Sequence, residues 1–88
     1  MANIAVQLTI GDYDDWRPVF NKHKKMREEK AGIKSEQVYC DADNPTEVLL
    51  WFETADAAKT REVIQSEEVK GHMKEAGVVG PPKIHVIP

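Results

Sequence analysis

The segment from Val48 to Phe52 is apolar at five consecutive positions. Its length, and the turn signal at residues 43–45 that precedes it, are typical of a β-strand. Successive side chains of a strand point to opposite faces of a sheet, so this strand needs an apolar cover on both faces. Helices of the same chain can cover one face, and the other face needs a second partner.

The segments around this strand alternate between strand and helix patterns. Ile4, Val6, Leu8 and Ile10 have period two, which predicts a first strand that ends at Gly11. A helix follows, and because Pro18 fits best in a first turn, we expect it to begin at Asp14 or Asp15. It should run to about Lys30 and stop at Gly32.

The second half of the chain continues the same alternation. Residues 33–41 and 47–53 are predicted to be the second and third strands. A second helical region is predicted to be capped by Thr54, to break at Ser66 and to end at Gly77. Residues 78–82 are expected to form a loop, and residues 83–87 the last strand.

The order β-α-β-β-α-β predicts one α+β domain over residues 1–88. Right-handed crossovers give a ferredoxin-like fold, a four-stranded antiparallel sheet with two helices on one face. Leu49, Trp51 and Ile87 then point to the open face, and such an apolar patch marks an interface. We therefore expect a homodimer in which two open faces pack together as a dimeric α+β barrel.

Composition excludes several classes of partner. The chain has 12 Lys and Arg against 15 Asp and Glu, a net charge of −3, which argues against nucleic-acid binding. Cys40, the single cysteine, allows no intramolecular disulfide, fits a reducing compartment and is expected in the core. Neither a signal peptide nor a run of about 20 apolar residues is present, so we expect a cytoplasmic protein with no membrane partner.

Three segments of the chain resemble one protein family. They are residues 12–23, the turn at 41–48, and the tail from Ser66 through Met73 to Pro82. They are similar to the dimeric α+β-barrel superfamily, in particular its antibiotic-biosynthesis-monooxygenase-like and cyclase branch. The superfamily also includes muconolactone isomerases, polyketide cyclases and stress-responsive barrel proteins. The resemblance implies a homodimer and a pocket between helices and sheet for a small apolar or aromatic molecule.

The first helix carries the most informative candidate residue. Its predicted inner face recurs at spacings of three and four and consists of Trp16, Val19, Phe20, His23, Met26 and Arg27. His23 lies within this apolar stripe, where an imidazole can act as a general acid or base near neutral pH. The alternative is a core histidine whose hydrogen bonds are satisfied.

Five further residues are candidates for substrate binding. Trp16 and Phe20 can line a pocket for a flat aromatic compound, or they can be ordinary core residues. Arg27 can hold an anionic group, or it can form a surface ion pair. Tyr39 can donate a phenolic hydrogen bond to a substrate, and Trp51 can line the pocket or fill the dimer interface.

The other histidines have weaker patterns. We expect His72 to be exposed and His85 to face the dimer interface. With His23 and Cys40 they show no metal-ligand spacing, so no metal site is predicted.

Two functions are compatible with these patterns. The first is a cofactor-free enzyme, similar to a monooxygenase, cyclase or isomerase, in which His23 abstracts a proton from a small cyclic or aromatic compound. The second is a non-catalytic homodimer that binds a small ligand or acts in stress. A purely structural module would instead fill the pocket with its own side chains.

Overall fold

Four strands and four helices make up residues 2–87, which the computed structural model describes. The strands are β1 (Ala2–Ile10), β2 (Ile33–Cys40), β3 (Glu47–Thr54) and β4 (Val78–Ile87). The helices are α1 (Tyr13–Lys22), α2 (Lys24–Ala31), α3 (Ala57–Ile64) and α4 (Glu67–Glu75). The predicted element order is confirmed, and each predicted helical region consists of two helices.

The sheet has the strand order β2-β3-β1-β4, and all neighbours are antiparallel. Val6 pairs with Leu50 on one side and with Ile84 on the other, and Leu50 pairs in turn with Val38. These apolar side chains share one face, so the register aligns them under the helices. The predicted ferredoxin-like sheet is thereby confirmed.

The hydrophobic core lies between this face and the helices. From the sheet come Ile4, Val6, Leu8, Ile10, Val48, Leu50 and Phe52, none more than 5% exposed. Trp16, Phe20 and Ile64 cover them from the helices. Period two in β1 and period three to four in α1 therefore produced the expected core.

The opposite, open face carries the other half of the apolar run. Leu49, Trp51 and Ile87 alternate with helix-facing residues and are half-buried. The Trp51 indole Nε1 donates to Asn3 Oδ1 at 3.2 Å. Gln7, which pairs with Leu49, is exposed on the same face, so the open face mixes apolar and polar side chains.

The first helical region differs from the single helix predicted for it. α1 begins at Tyr13, because the Asp12 side chain caps it and accepts from the Asp14 backbone N–H at 2.8 Å. The helix then breaks at His23, which separates α1 from α2. At this break the Phe20 carbonyl accepts from the Arg27 guanidinium at 2.7 Å and from the His23 backbone N–H at 3.3 Å.

The second helical region is capped by a different residue than predicted. Asp56 is the N-cap of α3, and its carboxylate accepts from the Lys59 backbone N–H. Thr54 instead ends β3 with no exposed surface, and its hydroxyl lies 2.6 Å from that of Thr60. The predicted break at Ser66 is confirmed, since Ser66 caps α4.

Two further sequence expectations are wrong. Residues 78–82 are not a loop but the first half of β4, which pairs with β1 on both sides of an irregularity between Gln7 and Thr9. Pro81 and Pro82 are tolerated there because β4 is an edge strand. Cys40 is exposed at the end of β2 rather than buried in the core.

None of the helices in residues 2–87 has the length and hydropathy needed to cross a bilayer.

Candidate functional site

A cavity of about 80 Å³ lies between the helices and the covered face of the sheet. Val6, Leu8, Leu50 and Phe52 form its floor, and α1 to α4 form its walls. Its lining is mostly apolar, and its polar side chains are His23, Arg27 and His72. A ligand in it would meet an apolar surface with polar groups at a few fixed points, the usual design of a small-molecule site.

Four of the six candidate residues line this cavity: Trp16, Phe20, His23 and Arg27. Tyr39 and Trp51 do not, because their side chains point to the open face of the sheet. Tyr39 pairs with Leu49 there, and its hydroxyl donates to Gln37 Oε1 at 2.7 Å. The structure therefore does not bring Tyr39 and Trp51 to this cavity, and of the two alternatives for Trp51 its position fits the dimer interface.

Trp16 and Phe20 form one aromatic wall. Their ring centroids are 4.8 Å apart with planes at 23°, a stacked arrangement. Trp16 is 2% exposed and Phe20 is 9% exposed. Both residues thus belong to the core and line the cavity at the same time, so the two sequence alternatives are not exclusive.

Arg27 is held by three groups of the chain itself. Its Nε and Nη2 donate to the two Glu36 carboxylate oxygens at 2.9 Å each, and its Nη1 donates to the Phe20 carbonyl. Its guanidinium carbon also lies 3.7 Å from the centroid of the Phe20 ring. The ion pair is largely buried, with side chains 11% and 15% exposed, so it is not a surface pair. Since Glu36 neutralises Arg27, its charge is not free for an anionic ligand.

His23 stacks face to face on His72. The two ring centroids are 3.6 Å apart and the planes differ by 8°. The expectation that His72 is exposed is wrong: the residue is half-buried and lines the cavity. The stack joins the end of α1 to α4 and forms the polar end of the cavity.

Glu75 fixes the His23 side of this stack. Its Oε1 lies 3.3 Å from His23 Nε2, and its Oε2 accepts from Lys22 Nζ at 2.9 Å. Lys22 first, and then His23, hold the pKa of the exposed Glu75 carboxyl below its ordinary value. The carboxylate therefore stays ionised and favours an N–H on the His23 nitrogen that faces it.

The His72 ring has no such partner. Its Nδ1 is buried and forms no hydrogen bond to any residue in the range 2–87. Burial lowers the pKa of His72 below its ordinary 6.5, and His23 adds to this effect. Hence His72 is neutral at pH 7, and its buried Nδ1 has no partner within residues 2–87.

A sequence signal for His72 exists. Val69, His72, Met73 and Ala76 recur at the helical spacings i, i+3, i+4 and i+7, and all four line the cavity. The polar neighbours Lys74 and Glu75 hid this pattern. By the criterion that singled out His23, His72 lies on the inner stripe of its helix.

No group of three or more His, Cys, Asp or Glu side chains in residues 2–87 is arranged to hold a metal ion. His85 lies away from the cavity, with its Nε2 3.3 Å from Gln7 Oε1. The polar chemistry available at the cavity is therefore that of two imidazoles and one neutralised guanidinium.

Solved structures with the same fold extend over nearly the whole chain. A protein from Bordetella bronchiseptica, provisionally named an antibiotic biosynthesis monooxygenase, has a TM-score of 0.80 at 11% identity, covering 99% of this chain and 94% of that one. SnoaB from Streptomyces nogalater, a cofactor-independent oxygenase, has a TM-score of 0.71 at 11% identity, covering 96% and 89%. Rv0793 from Mycobacterium tuberculosis has a TM-score of 0.65 at 14% identity, covering 100% and 94%.

No protein-family model matches the sequence, and no curated protein matches it significantly. The solved structures confirm the predicted resemblance at the level of the fold alone. At these identities a shared fold does not carry over an activity, which has to be argued from the cavity itself.

Proposed function

We propose that this protein is a cofactor-free enzyme of the monooxygenase type that acts on a small phenolic or quinol compound. Its substrate would bind in the cavity between the helices and the sheet, and an imidazole of the His23–His72 pair would remove a proton. The observation that carries this proposal is the pair itself, two stacked imidazoles at one end of an otherwise apolar cavity. The fold shared with a cofactor-independent oxygenase supports the same reaction class.

The chemistry needs no group beyond the protein and dioxygen. Loss of the phenolic proton leaves an electron-rich anion that can give electrons to dioxygen, and apolar walls exclude water from the product of that step. For a 1,4-hydroquinone, one oxygen atom is inserted at a ring carbon and the other leaves as water, which gives a 2-hydroxy-1,4-quinone. The protein would supply a base, a shape and a dry environment.

The size of the cavity limits the substrate. A cavity of about 150 Å³ holds one benzene molecule in an engineered lysozyme, and this cavity has about half that volume. A single ring therefore fits only if flexible lining side chains move, and Met26 and Met73 are suited to that. We expect one-ring hydroquinones to react faster than three-ring anthrones.

The same base could also serve an isomerase or a cyclase, because both begin with proton abstraction. The main alternative is a non-catalytic homodimer that binds a small ligand or is associated with stress. The neutralised Arg27 favours this alternative, since few charged groups remain to stabilise a developing anion. Turnover separates the two functions, because both require binding.

The test is oxygen uptake with a series of hydroquinones and anthrones. The wild type is compared with a His23→Ala/His72→Ala double variant and with Lys24→Gln. Lys24 is exposed and directly follows His23, so its variant controls for local changes in charge and helix propensity. Added catalase distinguishes monooxygenation from autoxidation. Autoxidation yields hydrogen peroxide, from which catalase returns oxygen, whereas monooxygenation yields water and is unaffected by catalase.

We expect the double variant to lose about 10²- to 10⁴-fold in rate, as for removal of a general base, while Lys24→Gln keeps the wild-type rate. Equal rates in the wild type and the double variant would contradict catalysis by these imidazoles. Binding of the same compounds without any uptake above the autoxidation rate would favour the ligand-binding alternative.

We also propose that two copies pair through the open face of the sheet. The half-buried Leu49, Trp51 and Ile87 support this, because a sheet face of this kind is usually covered. A charge at its centre should prevent pairing, so Trp51→Asp should elute as a monomer in size-exclusion chromatography with light scattering. Lys59→Asp, exposed on α3, is the control. A monomeric wild type would refute the proposal.

A further inference from the structure

We propose that His72 Nδ1 is the atom that takes the substrate's proton, and that His23 is a positioning residue that holds the His72 ring. This inference rests on the proposed function and assigns a role within it. It differs from the sequence-based hypothesis, which gave the proton transfer to His23.

One ring nitrogen of His72 is buried and has no partner. Buried polar atoms almost always have a hydrogen-bond partner, so a buried ring nitrogen without one indicates a missing group. His72 Nδ1 is such an atom within residues 2–87, whereas the Nε2 of the same ring is not. His72 lines the cavity, but its Nδ1 has almost no accessible surface, so a ligand hydroxyl can supply the missing donor only once the flexible side chains of the lining have moved.

One ring nitrogen of His23, Nε2, is already committed to Glu75. Its Nε2 faces Glu75 Oε1 at 3.3 Å, so this nitrogen carries a proton and cannot accept another. Its ring lies flat on His72 at 3.6 Å, which fixes the plane of the His72 imidazole. Glu75 in turn is held by Lys22, so the series Lys22, Glu75, His23 and His72 is continuous from solvent to cavity.

The surroundings of His72 lower the pKa of its ring. Burial, His23 and Lys22 lower the pKa of His72, while Glu68 and Glu75 raise it by less. No charged side chain of α3 or β4 lines the cavity, and Arg27 of α2 is paired with Glu36. His72 is therefore neutral at pH 7 and can accept a proton, as a general base must.

The step itself is a simple transfer. The proton of the substrate O–H moves to His72 Nδ1, the electron pair of that bond stays on the oxygen, and an imidazolium and a phenolate form. The neighbouring His23 ring disfavours a positive charge on His72, because it lowers the pKa of His72. The imidazolium then returns this proton to the second oxygen atom of dioxygen, which leaves as water, so that His72 is neutral again before the next turnover.

Kinetics on the intact protein test the assignment. With a one-ring hydroquinone, His72→Asn should lower kcat by about 10²- to 10⁴-fold, whereas His23→Asn should lower it by about tenfold or less. The pH profile of kcat/KM gives a readout that a purely structural role would not move. Its acid limb should shift to higher pH in His23→Asn and to lower pH in Glu75→Gln, because His23 lowers and Glu75 raises the pKa of His72.

The outcomes separate the inference from the proposed function. If His23→Asn is inactive and His72→Asn is not, the base is His23, so the inference is overturned and the proposed function stands. If the wild type turns over no compound, both the proposed function and the catalytic role of His72 are overturned.

A second measurement needs no turnover. Nitrogen-15 NMR of the imidazoles should show His72 with its proton on Nε2 and a lone pair on Nδ1, and phenol, used as a probe, should shift the Nδ1 signal. A proton on Nδ1, or a signal that phenol does not move, would overturn the assignment.

Discussion

Replacing Arg27 tests whether this residue serves the ligand or the fold. It lines the cavity, yet its ion pair with Glu36 and its bond to the Phe20 carbonyl tie α2 to β2 and to the end of α1. Arg27→Met removes the charge and keeps most of the apolar stem. We expect it to destabilise the protein strongly without blocking the cavity.

The magnitude follows from three contacts. The charged hydrogen bond to the Phe20 carbonyl is worth about 1.5–3 kcal/mol, and the cation–π contact with the Phe20 ring about 1 kcal/mol. Glu36, 15% exposed, would be left without a partner, a loss that reaches about 3–5 kcal/mol for a fully buried pair. Because these contributions overlap, we expect a total of about 3–5 kcal/mol for Arg27→Met.

The decisive comparison is a double-mutant cycle measured by urea unfolding. Glu36→Met alone leaves the guanidinium with only the Phe20 carbonyl and ring, and should cost about 2–3 kcal/mol. Arg27→Met/Glu36→Met leaves no orphan charge, so it should be more stable than Arg27→Met alone. The matched control is Lys25 and Glu29 of the same helix, an exposed pair at 4.0 Å, whose coupling should be about 0.5 kcal/mol or less.

Additive effects in the Arg27–Glu36 cycle would refute this reasoning, as would a coupling no larger than that of Lys25 and Glu29. The double variant also bears on function, because it keeps the cavity but lacks the guanidinium. If it folds and retains turnover, Arg27 does not hold the substrate.

Four further changes test other parts of the structure. Thr60→Val should lower the free energy of unfolding in urea by about 2 kcal/mol, because it leaves the buried Ala31 carbonyl without its hydroxyl donor. The same change at the exposed Thr9 should cost little, and equal costs at the two positions would contradict this expectation. Gly32→Ala should destabilise the protein by about 1–2 kcal/mol, because Gly32 has a φ of 72°, a left-handed conformation that is strained for alanine. The nearest atom to an added Cβ is 3.9 Å away, so a steric clash adds nothing to this cost. An unchanged melting temperature would refute this prediction. Because the pKa of His72 is lowered in the folded protein, the unfolded chain binds more protons below pH 6.5. The stability contributed by neutral His72 should therefore be complete above pH 6.5 and decline as the pH falls below it. The His72→Phe variant should lack this decline. The lowered pKa of Glu75 acts in a separate window, with stability lost as the pH falls below about 4.5, and Glu75→Gln should remove that loss.

The sheet and its covered face were predictable because they depend on a local pattern. Period two in β1 and the apolar run in β3 fix which side chains share a face, and antiparallel pairing then aligns Val6 with Leu50 without further information. The Ser66 cap is equally local, and it was identified correctly because its side chain needs only the backbone N–H of Val69.

The helix break at His23 was not predictable in this way, since it depends on a tertiary contact. No glycine or proline stands at the break, and the residues on either side favour a helix. The Phe20 carbonyl is instead bonded by the side chain of Arg27, which Glu36 of β2 holds in place. Such contacts override helix propensity, because propensity differs by roughly a few tenths of a kcal/mol per residue. A charged hydrogen bond contributes about 1.5–3 kcal/mol.

The candidate site combines both cases. Each histidine can be placed on the inner stripe of its own helix from spacing alone, and neither spacing implies the other. What makes the pair chemically distinct is the parallel contact at 3.6 Å, through which His23 helps to bury His72 and lowers its pKa. A single histidine in an apolar stripe is as compatible with a core residue as with a base. Two histidines in contact are harder to explain by stability alone. One of them faces Glu75, and the other has a buried nitrogen without a partner. Such a nitrogen destabilises the fold by about 1–3 kcal/mol, a cost that a leucine at position 72 would avoid.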